Sequence, residues 1–178
     1  MHSSLQHRRA TTLVALLTSY ASYHQDPRNR STHFLGVPLI TFSLMIALAL
    51  PSLTLAGTHV RLDRIAATAL AVFYLYLDLP LGLALAVALA VLTAGAETMT
   101  RLGMSRAITS AILCFIVGWG LQLLGHRLEG NRPALIDNLR QIFIAPIYLM
   151  AELAFTLGLR RGLQTLILRR MTGAVGAH

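Results

Sequence analysis

The sequence predicts an all-α, polytopic membrane bundle, and three observations carry that prediction. Hydrophobic residues make up 55% of the 178 positions and charged residues only 12%, with a mean hydropathy of +0.63, a balance foreign to a soluble domain of this length. The apolar residues are gathered into four or five runs, several near the roughly 20 residues that a bilayer crossing requires. No internal repeat, low-complexity tract or linker divides the chain, so residues 1–178 are expected to form a single integral membrane domain.

Taken in order, the first run is Phe34 to Gly57, with Pro38 and Pro51 near its ends. Ile65 to Leu77 and Leu81 to Ala96 follow, parted only by Asp78-Leu79-Pro80, which predicts a tight helical hairpin. Ala107 to Gly125 is the fourth; its Gly118, Gly120 and Gly125 suit close helix contact. The fifth, Ile142 to Gly158, carries Pro146 and Glu152. The stretch after Arg8 and Arg9 is short and broken by Thr18, Ser19 and Tyr20, and it does not read as a cleavable signal peptide.

All 15 basic residues are arginine, and the formal charge is +8. The arginines flank apolar runs without forming a basic face with aromatic platforms, which points to membrane lipids and away from nucleic acid. Their distribution also orients the chain. Arg8, Arg9, Arg28, Arg30, Arg127, Arg132 and Arg140 fall on one side of four crossings, and Arg61, Arg64, Arg101 and Arg106 on the other. The richer side is expected to be cytoplasmic, with a bacterial inner membrane as host. A fifth crossing would send Arg160, Arg161, Arg169 and Arg170 outward, so a re-entrant or interfacial fifth segment is expected. Cys114 is the single cysteine, which rules out an intramolecular disulfide and a cysteine-based metal site.

Two polar islands hold most of the chemistry: Tyr23-His24-Gln25-Asp26-Pro27-Arg28-Asn29 running on to His33, and Gly125-His126-Arg127-Leu128-Glu129-Gly130-Asn131-Arg132-Pro133 running on to Asp137-Asn138. Such groups persist beside hydrocarbon because they pair, bind a metal or line a polar path. An even number of crossings between them places both islands at one membrane face. His24 and His33 cannot be neighbours on one straight helix, but a turn at Pro27 can fold them together; a capping histidine and a headgroup histidine remain the bland alternative. Trp119 and Gln122 share a helical stripe with His126. Glu129 follows His126 at the i+3 spacing of inward-facing pairs, with a surface salt bridge to Arg127 or Arg132 as its bland alternative. Imidazoles with oxygen ligands suit zinc, iron, copper or nickel. There is no HExxH helix, no phosphate-binding glycine loop and no serine elbow.

With both islands in view, the chain resembles the family of small membrane proteins that includes the fungal 2-hydroxy fatty acid dioxygenase of phytosphingosine breakdown. The first island carries the likeness through to His33–Pro38, and Gly118-Trp119 through Gly125-His126 carries it on into Arg132-Pro133-Ala134-Leu135-Ile136-Asp137-Asn138. A weaker likeness extends from about residue 12 to residue 158. The resemblance implies an Fe2+-dependent oxygenase that takes a 2-hydroxy fatty acid and O2 and shortens the acid by one carbon. It implies His24, His33 and His126 as iron ligands. A further family histidine, expected between the third and fourth segments, has no counterpart here, where Glu97 or Glu129 is offered instead. Arg132 is expected to pair the substrate carboxylate, with Gln122, Tyr23 and Asn138 also at the substrate and Glu129 and Asp137 tuning the metal. A non-catalytic lipid-binding or scaffold protein and a metal-dependent lipid hydrolase are the competing readings. The sequence leaves the oligomeric state open.

Overall fold

The computed structural model describes residues 2–51, 53–55, 58–130 and 140–175. Seven helices and one small hairpin make up the described chain: α1 (His2–Ser22), α2 (Pro27–Ala49), β1 (Leu53–Leu55), β2 (Thr58–Val60), α3 (Leu62–Leu77), α4 (Leu79–Arg101), α5 (Met104–Glu129), α6 (Gln141–Thr156) and α7 (Arg161–Val175). The strands pair antiparallel, with Thr54 opposite His59. The helix of the first apolar run therefore stops short of Gly57: α2 ends at Ala49, just before Pro51, and Leu53–Leu55 pairs with Thr58–Val60.

Local chemistry sets the helix ends. Asp26 caps α2 by accepting from the Arg28 backbone N–H, and Pro27 takes the first turn, where its missing N–H leaves no bond unmade. Asp78 caps α4 in the same way through the Leu81 N–H at 3.1 Å. Gly130, in the left-handed conformation, closes α5.

α2, α4 and α5 are long and apolar enough to cross a bilayer. Large apolar side chains point outward from them, with Val87 65%, Val91 66% and Ile116 61% exposed. A water-soluble bundle would bury such a belt; hydrocarbon would cover it. α3 is shorter, about 24 Å, but Arg61 before it reaches Glu97 near the end of α4 and the two helices meet at Asp78. It therefore runs alongside α4 for most of that helix, as the expected hairpin requires.

α2 and α5 are antiparallel and very close. A Cβ on Gly36 would lie 2.9 Å from the Gly118 carbonyl oxygen, and one on Gly118 would lie 3.0 Å from the Gly36 carbonyl. Gly125 likewise sits against Asn29 and Thr32, whereas Gly120 faces open space, so two of the three α5 glycines serve the contact. Gly95 of α4 packs on Phe42 of α2. Tyr74, one turn before Asp78, donates to the Phe143 carbonyl at the start of α6, and Gln141 in the same turn donates to Ser19 near the end of α1; together these contacts make α2 and α4 parallel and set the start of α2, the Asp78 hairpin and the end of α5 at one end of the bundle. Arg61, Arg64 and Arg101 surround Glu97 at the other.

Both ends of the fifth run lie at one end of the bundle. Glu129 before it and Arg160 after it both lie at the end that holds His24, the first on Gln25 and Asp26 and the second on Asp78. α6 and α7 meet at a bend of 114°, through left-handed Gly158 and Arg160. Glu152 pairs with Arg30 at 3.7 Å, again at that end. α1, which the polar interruptions of its sequence conceal, packs on α6 and α7 and contributes Leu13, Leu17 and Tyr20 to the core.

Candidate metal centre

The turn at Pro27 folds the first island back on itself. His24 lies between α1 and α2, His33 sits nearly two turns into α2, and their Nε2 atoms face each other at 3.1 Å. α5 brings His126 to the same point, its ring centroid 4.9 Å from that of His24 and 5.0 Å from that of His33. One ligand nitrogen from each of the three lies within 4.8 Å of the others. All are buried, at 2%, 2% and 5% exposure respectively.

Hydrogen bonding makes this an arrangement for a cation. His24 Nδ1 donates to the Tyr20 carbonyl at 2.9 Å, and His33 Nδ1 donates to the Asn29 carbonyl at 2.9 Å. A carbonyl only accepts, so each ring carries its proton on Nδ1 and presents a lone pair at Nε2. Two lone pairs at that separation repel unless something positive lies between or beside them. His126 adds a buried Nδ1 without a hydrogen-bond partner among the described residues. Burial holds the His24 imidazole down to about 4, against the opposing pull of the Tyr20 carbonyl, so at neutral pH it is in the ligand form. The donor set thus fits a divalent transition metal, and the ring N–H to carbonyl bonds are the supports that orient metal-binding histidines.

Glu129 braces the cluster from outside. Its carboxylate accepts from the backbone N–H of Gln25 and of Asp26, the latter at 3.0 Å, and from the Asn29 side-chain amide. Asn29 is fully buried and supplies the carbonyl that orients His33. The end of α5 is thereby tied to the turn that carries His24 and to the first turns of α2. With these bonds made, Glu129 acts through the backbone around the histidines. Glu129→Ala is expected to weaken metal binding about 10–100-fold with helix content unchanged. Titrating metal into the purified variant checks this, and wild-type affinity would remove Glu129 from the support.

A cavity of about 100 Å³ opens beside the histidines, its walls including Tyr20, Trp119, Gln122 and Gln141. On three of these side chains, Trp119 Nε1, Gln122 Nε2 and Gln141 Oε1 are buried with no hydrogen-bond partner among the described residues. Two unpaired donors and an unpaired acceptor on side chains beside a candidate cation site suit an oxygen-rich head group. Gln122 was expected at the site. Trp119 was legible only as a stripe-mate of His126, and Gln141 opens the helix that follows the second island. Tyr20 stacks on His24 at 4.1 Å and lines the cavity, whereas Tyr23, half-buried, is not one of its lining residues. Glu97, the offered substitute for a further histidine, is bound to Arg64 and Arg101 at the opposite end. Arg132, Asp137 and Asn138 lie outside the described residues.

The family model described as 2-hydroxy-palmitic acid dioxygenase Mpo1-like matches residues 10–157. The 2-hydroxy-palmitic acid dioxygenase MPO1 of Saccharomyces cerevisiae is 31% identical over 148 residues, covering 82% of this chain and 82% of that protein. No solved structure matches. The matched region contains α2 to α6 and all three clustered histidines, and the chain belongs to the Mpo1-like family.

Proposed function

We propose that this protein is an iron(II)-dependent dioxygenase that shortens 2-hydroxy fatty acids by one carbon. The observation that carries the reading is the pair of Nε2 lone pairs facing each other at 3.1 Å beside His126, buried at the mouth of a largely apolar cavity. His24, His33 and His126 hold the metal. Bound iron supplies the activation of oxygen, which no ordinary side chain provides. Dioxygen carries all the oxidising equivalents needed to turn a 2-hydroxy acid into the shorter fatty acid, carbon dioxide and water, so no external reductant is called for.

The chain's own groups bind and orient the acid. Trp119 Nε1–H and Gln122 Nε2–H donate to the carboxylate, and Gln141 Oε1 accepts the proton of the 2-hydroxyl. Arg132 pairs the other carboxylate oxygen, Asn138 supports the head group and Asp137 tunes the metal; these roles rest on residue type and family resemblance. Arg132→Lys keeps the charge but loses the planar fork, so it is expected to raise KM with iron retained. Unchanged saturation behaviour would place the carboxylate clamp elsewhere.

The histidine end faces the cytoplasm of a bacterial cell in this proposal, by the arginine bias. Membrane-impermeant labelling of Gln25→Cys and Leu128→Cys in a Cys114→Ala background checks it: both react from the same, inner side. Reaction from the outside would invert the orientation.

The proposed activity itself is tested by purifying the protein anaerobically with iron and following 2-hydroxypalmitic acid by mass spectrometry. The one-carbon-shorter acid is expected only when oxygen is admitted. Product without oxygen would favour a hydrolase, and stoichiometric binding of the acid without conversion would favour a lipid-binding protein.

A further inference from the structure

A second cavity, of about 470 Å³, lies between α2, α3, α4 and α6. Val37, Thr41, Leu44 and Ile142 line both this space and the smaller one at the histidines, so the two adjoin along a shared wall. α4 supplies a wall to the large cavity through Leu85, Ala88, Leu89 and Leu92, and none to the histidine pocket.

The large cavity has nothing with which to hold a polar group. Its hydroxyl-bearing side chains are Thr41 and Tyr74. Thr41 donates to the Val37 carbonyl at 2.9 Å, and Tyr74 donates to the Phe143 carbonyl at 3.0 Å. All the rest of its wall is apolar, in contrast with the unpaired donors and acceptor on side chains beside the histidines. Leu44, Val91 and Leu153, all exposed, form part of its lining where hydrocarbon would surround the bundle.

The geometry points to this cavity as the seat of the alkyl tail of the acid whose head group lies at the three histidines, entered sideways from the bilayer and selecting for long chains. The inference rests on the substrate class proposed above. From Val37 to Met45 the α2 wall runs about 12 Å. A straight saturated chain advances about 1.2 Å per bond, as the extended peptide backbone does. The wall therefore accompanies on the order of ten bonds of tail. A short acid would leave most of the cavity without contact, whereas each buried methylene strengthens binding roughly fourfold.

The test is photolabelling with 2-hydroxypalmitate that carries a diazirine at its terminal carbon, on the full-length purified protein, with adducts mapped by peptide mass spectrometry. Adducts are expected on Leu89 and Leu92 of α4 and are displaced by unlabelled 2-hydroxypalmitate. Ala88→Leu and Ala88→Phe, which fill the cavity in graded steps, are expected to cut this labelling about tenfold or more, the loss that follows from expelling roughly two methylenes. Labelling of the histidine pocket by a 2-hydroxyoctanoate probe is expected to stay unchanged in both.

Adducts confined to outward-facing residues such as Leu113 and Ile116 would overturn the inference. So would cavity labelling by a diazirine phosphatidylcholine that 2-hydroxypalmitate fails to displace, or an equal loss of the long and short probes in both variants. Labelling needs neither oxygen nor turnover. A cavity adduct in protein that never converts the acid would leave the tail site standing and sink the dioxygenase reading, and conversion with adducts only on the outside would do the reverse.

Discussion

His33→Ala is expected to leave the protein folded and almost without metal. His33 faces His24 across 3.1 Å, and its removal takes one of three converging nitrogens out of the cluster. Loss of an outer support of a metal site costs about 10–100-fold in affinity, so loss of a ligand is expected to cost at least about a hundredfold. Conversion of 2-hydroxy acid falls with it. The change also relieves the close approach of two lone pairs in the metal-free protein, so its stability is expected to hold. Metal content per chain and thermal unfolding, measured on the same preparation, check both halves. Full metal occupancy in folded His33→Ala would take that residue out of the site.

The second large effect lies in a residue that touches no ligand. Gly36→Val is expected to separate α2 from α5, because its Cβ would lie 2.9 Å from the Gly118 backbone oxygen and 3.3 Å from the Leu121 Cβ. A backbone oxygen cannot swing aside as a flexible side-chain tip can, so the helices must move. Overpacking of this kind costs about 1–3 kcal/mol. His33 is on one of the displaced helices and His126 on the other, so metal affinity drops together with stability. Gly120→Ala, on the same helix as Gly118 but with open space around it, is the control and is expected to change neither. If Gly36→Val matches that control in unfolding and metal titration, the close α2 and α5 contact does not position the histidines.

The meeting of the two islands was legible because its causes are local or countable. Pro27 must break helix geometry, and Asp26 before it must cap the next helix. An even number of crossings returns the chain to the same end. The arginines beyond the fifth segment predicted a re-entrant or interfacial course for it, and Arg160 lies against Asp78 at the histidine end. What the sequence concealed depends on tertiary pairing. Glu129 stands at the spacing of a ligand-tuning carboxylate beside His126, yet its oxygens take the N–H groups of Gln25 and Asp26, some hundred residues earlier. No periodicity announces such a pairing. α1 was hidden because its polar residues read as interruptions, whereas in the fold Thr18 bonds back to the Val14 carbonyl and Tyr20 is buried against His24. The tail cavity is beyond sequence reading for a different reason: it is bounded by side chains from four helices, and only their packing leaves the space.

X-ray absorption at the iron edge of the iron-loaded protein reads out whether His24, His33 and His126 hold one metal through imidazole nitrogens. One iron per chain and ring scattering from three imidazoles are expected, with one ring's contribution lost in whatever iron His126→Ala retains. An iron shell of oxygen atoms alone, unchanged by that substitution, would contradict it.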